Sequence, residues 1–238
     1  MANENDKKAA ALAAVAEVKD GMLVGLGTGS TAAFAIAEIG RLCAQGLRIE
    51  AVATSLATET LAREAGIPIL PLESVAVIDL AIDGADEVDP QLRAIKGAGG
   101  AMLREKIVAA AARRMVVIAD RSKRVTQLGR AAVPVEVLPV ALSYVSHILK
   151  AVGGLPVLRS GAQTPVRTDQ GNVILDCHFG PIDDPTLLAQ HLSAIPGILG
   201  HGLFLDEVDA LYIADRGVVD RIERPVAAAT QKDRMAGN

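Results

Sequence analysis

The chain has 238 residues, half of them apolar and 22% charged, a globular balance with room for one full domain plus a small one and unlike a disordered charged tail. Aromatics make up 2% and tryptophan is absent, so the core is aliphatic, and the formal charge of -4 gives neither the basic field nor the stacking platform that DNA or RNA binding needs. No run nears the ~18 apolar residues of a membrane span, and residues 1–8 lack the apolar stretch of a signal peptide, so the cytoplasm is the expected compartment.

Residues 7–18 predict a helix. The aliphatic run 22–24 is a strand that enters Gly25-Leu26-Gly27-Thr28-Gly29-Ser30-Thr31, and residues 32–42 form an alanine-rich helix whose first turn Ser30 or Thr31 is placed to cap. The alternation continues with strand 47–53, helix 58–65, strands 67–70 and 76–82, an extended piece at 92–95, helix 102–112 and strand 115–119. Strands separated by helices call for parallel crossovers and a doubly wound α/β domain. From about residue 133 the pattern changes to strand 135–138, helix 141–150, strand 156–159, a hairpin pairing 166–168 with 173–176, and a helix at 186–192 capped by Asp184 with Pro185 at its first position. The run 210–214 reads as a buried strand returning to the first sheet, which makes the smaller α+β part an insertion. Residues from about 224 on are expected to fray.

Strand-end loops carry the candidate chemistry. The glycines beside Thr28, Ser30 and Thr31 let the backbone approach an anion, and the following helix supplies free N–H groups for a phosphate. The loop departs from the dinucleotide pattern G-x-G-x-x-G because Ser30 stands at the third glycine, and Thr54-Ser55 occupy the place of a ribose-binding carboxylate. Asp83-Gly84-Ala85-Asp86-Glu87 follows an aliphatic strand, where parallel sheets present loops to a ligand. Two acids there suit proton transfer or sugar hydroxyls, although Asp and Gly also make ordinary turns. Glu87 and Asp89 are expected to be solvated. Lys96-Gly97-Ala98-Gly99-Gly100 offers a cation and a backbone able to wrap an anion, and Glu105 stands one turn into the next helix. In isolation Glu105 reads as a surface acid within Arg104-Glu105-Lys106. Lys123 is a second cation suited to a phosphate.

His147, His178, His191 and His201 have no metal-ligand spacing, Cys43 and Cys177 belong to no paired motif, and no G-x-S-x-G elbow is present. An anion cradle, acids, lysines and a carboxylate base fit proton transfer on a small phosphorylated, hydroxylated substrate.

Gly27-Thr28-Gly29-Ser30-Thr31, Thr54-Ser55-x-x-Thr58, Asp83-Gly84-Ala85-Asp86-Glu87, Lys96-Gly97-Ala98-Gly99-Gly100 with Arg104-Glu105-Lys106, Ile118-Ala119-Asp120 with Ser122-Lys123, and Gly171-Asn172-Val173-Ile174-Leu175-Asp176 resemble, in order, the signatures of type A ribose-5-phosphate isomerase. The resemblance spans residues 7–222. It implies a Rossmann-like doubly wound domain (1–133 and 207–238), a smaller inserted α+β (ferredoxin-like) domain for assembly (134–206), a homodimer or homotetramer, and no cofactor or metal. The reaction implied is interconversion of ribose 5-phosphate and ribulose 5-phosphate through a cis-enediolate, in the non-oxidative pentose phosphate pathway. Glu105 would be the base, assisted by Asp83, Asp86 and Lys96, with substrate contacts at Thr28, Gly29, Ser30, Thr31, Asp83, Gly84, Ala85, Asp86, Lys96, Gly97, Ala98, Gly99 and Lys123. Ala98 stands where the family more often has glycine, and its methyl is expected to crowd the loop without abolishing activity. The same loops would also suit a sugar-phosphate sensor without turnover, which normally carries a DNA-binding module for which too few residues precede the first strand. A coenzyme A transferase-like fold is a further rival, and it needs a nucleophilic carboxylate and a large cofactor cleft.

Overall fold

A computed structural model describes residues 4–161 and 164–225. In chain order the elements are α1 (Glu4–Val15), β1 (Leu23–Leu26), α2 (Ser30–Ala44), β2 (Glu50–Ala53), α3 (Leu56–Glu64), β3 (Leu80–Gly84), β4 (Glu87–Val88), β5 (Ala94–Ile95), α4 (Met102–Ala111), β6 (Met115–Asp120), β7 (Val133–Val137), α5 (Leu142–Ala151), β8 (Leu155–Leu158), β9 (Val173–His178), α6 (Pro185–Ala194), β10 (Ile198–His201), β11 (Leu203–Phe204), β12 (Ala210–Asp215) and β13 (Val218–Glu223). They divide into two compact units, one taking the described residues within Met1–Gly84, Ile107–Lys123 and Asp206–Asn238, the other Ala85–Lys106 and Arg124–Leu205. No described helix is long and apolar enough to cross a membrane.

The first unit is built on a six-stranded sheet of order β13-β12-β6-β3-β1-β2. All neighbours pair parallel except the hairpin β12–β13. The aliphatic runs become strands because both faces are covered: Val24, Leu26, Ile82, Val116 and Ile118 are buried in one core with Ala10, Ala14, Ile36 and Ile39 of α1 and α2. The chain leaves β1 toward β2 and returns on the other side as β3, so the carboxyl ends of β1 and β3 form the topological switch point where such sheets bind ligands. Residues 210–214 return beside β6 as their aliphatic run predicts.

Residues 67–70 and 76–79 are not strands. Each touches the structure through an isolated bridge, Ile69 to Ala51 and Ile78 to Ala112, and Pro68 has no N–H with which to extend a ladder. Arg224, expected to fray, donates its N–H to Asp209 O at 2.7 Å and its Nε to Val208 O at 2.6 Å. The rest of the expected frayed end, 226–238, lies outside the described residues.

Beyond α1, Glu17 accepts from Arg114 Nε at 2.5 Å and Nη2 at 2.9 Å and from Tyr212 Oη at 2.6 Å. Burial alone would raise the Glu17 pKa, but the hydrogen bonds and charges of Arg114, Tyr212 and Arg221 outweigh it and hold the carboxyl below its ordinary value. The Tyr212 phenol is pushed up to about 12 by burial and by the Glu17 carboxylate. A depressed carboxyl stabilises the fold fully above its unfolded value and ceases to do so as pH falls through the folded value. Glu17→Gln therefore lowers unfolding free energy at pH 7 by about 1–2 kcal/mol, the range for a partly screened charged hydrogen-bond group. In urea melts the gap to wild type closes as pH drops below the ordinary carboxylate range.

The second unit contains β7-α5-β8-β9-α6-β10, whose antiparallel sheet of order β10-β7-β9-β8 is the split βαβ arrangement of ferredoxin-like domains. Val135, Val137, Leu149, Leu175, Cys177 and Leu192 form its core. Burial there pushes the Cys177 thiol up to about 12. Asp184 accepts from Leu187 N at 2.9 Å and Pro185 opens α6, as expected. Of the predicted hairpin, Thr168 and Asn172 close the turn with a 3.0 Å bond, while residues 166–168 form no strand: Arg167 meets Val173 through an isolated bridge and Val166 donates its N–H to Arg159 O at 2.9 Å.

This unit extends beyond the expected 134–206 because β11, β5 and β4 pair in a sheet of their own. Within that extension Glu87 and Asp89 are buried, not solvated: Glu87 accepts from the N–H of Gly129 (2.9 Å) and Ala131 (2.6 Å), and Asp89 from Gln91 N, Arg93 N and Arg93 Nε. Backbone amides and a guanidinium take the place of water around each carboxylate.

Candidate active site

In the first unit, β1 runs into Gly27, which lies against the end of β3. A Cβ at Gly27 would stand 2.1 Å from Asp83 Oδ1, so only glycine allows this approach. Asp83 is buried, and its Oδ1 accepts from Thr28 N at 3.0 Å and from Gly84 N at 2.7 Å. The loop is anchored from beneath: Thr28 Oγ1 lies within 2.7, 2.9 and 3.0 Å of the hydroxyls of Thr54, Ser55 and Thr58, and Thr54 and Thr58 donate to the carbonyls of Leu26 and Gly27. The place of a ribose-binding acid thus holds a hydroxyl cluster that fixes the glycine loop.

Neither Ser30 nor Thr31 caps α2. The N-cap is Gly29, at φ 112°, and it makes no side-chain bond to the helix. The first turn therefore has no side-chain cap, and a helix start of this kind is chemically suited to an anion. Ser30 Oγ accepts from Lys7 Nζ at 2.9 Å, which brings a cation of α1 to that helix start. Lys7 was not legible as a site residue, being 23 positions away and in a charged run. Lys123 closes the short 3₁₀ turn after β6, and among the described residues it makes no hydrogen bond with the other candidates.

In the second unit, Lys96 and Glu105 are 2% and 3% exposed, and Lys96 Nζ lies 3.3 Å from Glu105 Oε2. Glu105 is in the first turn of α4 and belongs to the interior, not to a surface charge run. Lys96 continues from β5, with its N–H on Gly202 O at 2.9 Å and its ammonium 5.5 Å from the centre of the Phe204 ring. Lys106 Nζ lies 4.0 Å from the same ring and donates to Leu203 O at 2.5 Å. A fully buried Phe204 flanked by two ammonium groups is a feature sequence reading missed, since nothing near residue 204 carries a motif. Two charges out of water hold each other only as a pair, and the ring face adds a further electrostatic contact.

The loop 97–99 is fixed from two sides. Asp86 Oδ2 accepts from Ala98 N at 2.9 Å, and Arg159 Nη1 donates to the carbonyls of Gly97 and Ala98. Gly97 takes φ 101°, whereas Ala98 keeps a negative φ and an exposed side chain, so its methyl falls where glycine is not required. Among the described residues no group of three or more His, Cys, Asp or Glu is arranged to hold a metal ion. The first unit thus offers a helix start without a side-chain cap, a lysine beside it and a buried carboxylate, and the second offers a buried carboxylate paired with an ammonium.

A family model described as ribose 5-phosphate isomerase A (phosphoriboisomerase A) matches residues 50–217. Ribose-5-phosphate isomerase A of Sphingopyxis alaskensis is 51% identical over 215 residues, covering 90% of this chain and 94% of the relative. Among solved structures, ribose 5-phosphate isomerase A of Methanocaldococcus jannaschii is 41% identical at a TM-score of 0.89, covering 93% of this chain and 99% of that one. A D-ribose-5-phosphate isomerase in complex with phospho-erythronic acid is 41% identical at a TM-score of 0.91, covering 94% and 100%. With the motifs, the topology and these likenesses in agreement, the chain belongs to the ribose 5-phosphate isomerase A family.

Proposed function

We propose that the chain interconverts D-ribose 5-phosphate and D-ribulose 5-phosphate with Glu105 as the base. The observation that carries this reading is the buried ion pair of Glu105 with Lys96 at 3.3 Å, in a chain of this family. Glu105 takes the proton from C2 of the open-chain aldose, the C2 electron pair forms the C1=C2 bond of a cis-enediolate, and negative charge gathers on O1. Reprotonation at C1 by Glu105, with the proton of O2 passed to O1 as C2=O forms, gives the ketose. Asp83 and Asp86 carry hydroxyl protons and assist ring opening, and Lys96 stabilises the oxyanion. Gly84, Ala85, Gly97, Ala98 and Gly99 contact the sugar through their backbone. Gly29, Ser30 and Thr31 bind the phosphate with Lys7 and Lys123, while the Thr28 side chain secures the loop. Binding energy from the phosphate holds the reacting carbons in place.

The ferredoxin-like part serves assembly into a homodimer or homotetramer, a reading supported by Val140, Leu155 and Val157, which are 94%, 69% and 56% exposed. A cytoplasmic enzyme accords with the free thiols of Cys43 and Cys177.

The test is ketose formation from ribose 5-phosphate by chelator-treated protein. Turnover is expected; tight binding without turnover would mean a sensor instead. In the same assay Lys7→Ala raises KM about 3–10-fold and changes kcat less, the effect of roughly 1 kcal/mol for an exposed cation on a phosphate.

A further inference from the structure

The side chain of Arg159, at the end of β8, makes two kinds of contact. Its Nε and Nη2 donate to the two oxygens of Asp176 at 2.8 and 2.5 Å, a bidentate pair that fixes the plane of the guanidinium. Its Nη1 then donates to Gly97 O at 3.2 Å and Ala98 O at 2.9 Å. No described peptide bond is cis, and in a trans peptide the C=O and the following N–H point in opposite directions. Turning the Gly97 carbonyl to Arg159 therefore turns the Ala98 N–H away from it, and that N–H is found on Asp86 Oδ2 at 2.9 Å. By the same rule the Gly99 N–H points away from Arg159, and among the described residues no acceptor takes it.

Resting on the isomerase reading above, we propose that Arg159, locked by Asp176, is a positioning residue for the reaction. It sets the peptide planes 97–98 and 98–99 so that the Gly99 N–H, next along the chain from the amide held by Asp86, donates to the substrate oxygen on which charge develops. A glycine-rich loop has no side chains to fix its own amides, and a donor aimed at a developing oxyanion helps only while its direction is preset. Arg159 supplies that constraint from another part of the second unit without touching substrate.

The experiment compares wild type with Arg159→Met and Arg159→Lys, measuring kcat, KM, and inhibition by phospho-erythronic acid, whose carboxylate stands in for the enediolate, and by inorganic phosphate. For Arg159→Met, kcat falls about 10–100-fold and KM stays within about threefold, as expected for a loosened transition-state contact. Inhibition by phospho-erythronic acid weakens about tenfold or more while that by phosphate is unchanged, and Arg159→Lys lies between. Equal weakening of both inhibitors would mark a merely structural role and overturn the proposal, as would kcat and both inhibition constants within about twofold of wild type. If Arg159→Met does not fold, Asp176→Asn decides: the neutral amide frees the guanidinium in the same space, and the same split between inhibitors is expected at smaller size, whereas its absence overturns the proposal. A wild type that does not turn over ribose 5-phosphate would instead sink the isomerase reading underneath.

Discussion

Glu105→Gln lowers kcat for ribose 5-phosphate about 10²–10⁴-fold, the range that a positioned acid–base group contributes, and leaves KM within about threefold. Glutamine keeps the shape and the place in the first turn of α4 but cannot accept a proton from carbon. In the proposed mechanism the phosphate is held by other residues, so the loss falls on kcat. The melting temperature falls as well, because the buried Lys96 ammonium loses the carboxylate at its 3.3 Å contact and keeps only an amide oxygen and the Phe204 ring beside it. Steady-state kinetics with a melting curve for the same preparation separate loss of chemistry from loss of fold.

Lys96→Met removes the cation and leaves the Glu105 carboxylate without its ion-pair partner inside the second unit, at 3% exposure. Breaking one side of a buried pair costs about 3–5 kcal/mol, because the surviving charge has lost its compensation. A large fall in the denaturation midpoint is expected together with loss of the oxyanion stabilisation proposed for Lys96, so kcat drops by at least about 10²-fold. The double variant Lys96→Met/Glu105→Gln regains much of the stability, since neither buried charge remains, yet recovers no activity. If the two stability losses simply added, the contact between Lys96 and Glu105 would not be the coupled pair that its geometry indicates.

Much of this was legible from the sequence, and the limits have a common physical origin. The strand, glycine loop and helix around Gly27, the acid at Asp83 and the inserted α+β part all follow from local patterns of aliphatic runs, turn residues and caps. What was not legible depends on partners far along the chain. Glu87 looks solvated until the amides of residues 129 and 131 come to it, 42 and 44 positions on. Glu105 sits between an arginine and a lysine and reads as a surface acid, and only the fold brings Lys96 against it and Phe204 against Lys96. The hydroxyls near residue 30 suggest a cap, but Gly29 takes the N-cap position at φ 112° and leaves the helix start open. Lys7 and Arg159 carry no motif at all. Each gains its meaning from one or two hydrogen bonds to a loop that the sequence does mark.

Proton relay by Glu105 is tested most directly with ribose 5-phosphate carrying deuterium at C2. Wild type is expected to move that deuterium to C1 of ribulose 5-phosphate or into the solvent at the rate of turnover, and Glu105→Gln to leave it at C2. Deuterium leaving C2 in the folded glutamine variant within about tenfold of the wild-type rate would contradict the assignment, since a positioned base is worth at least about 10²-fold.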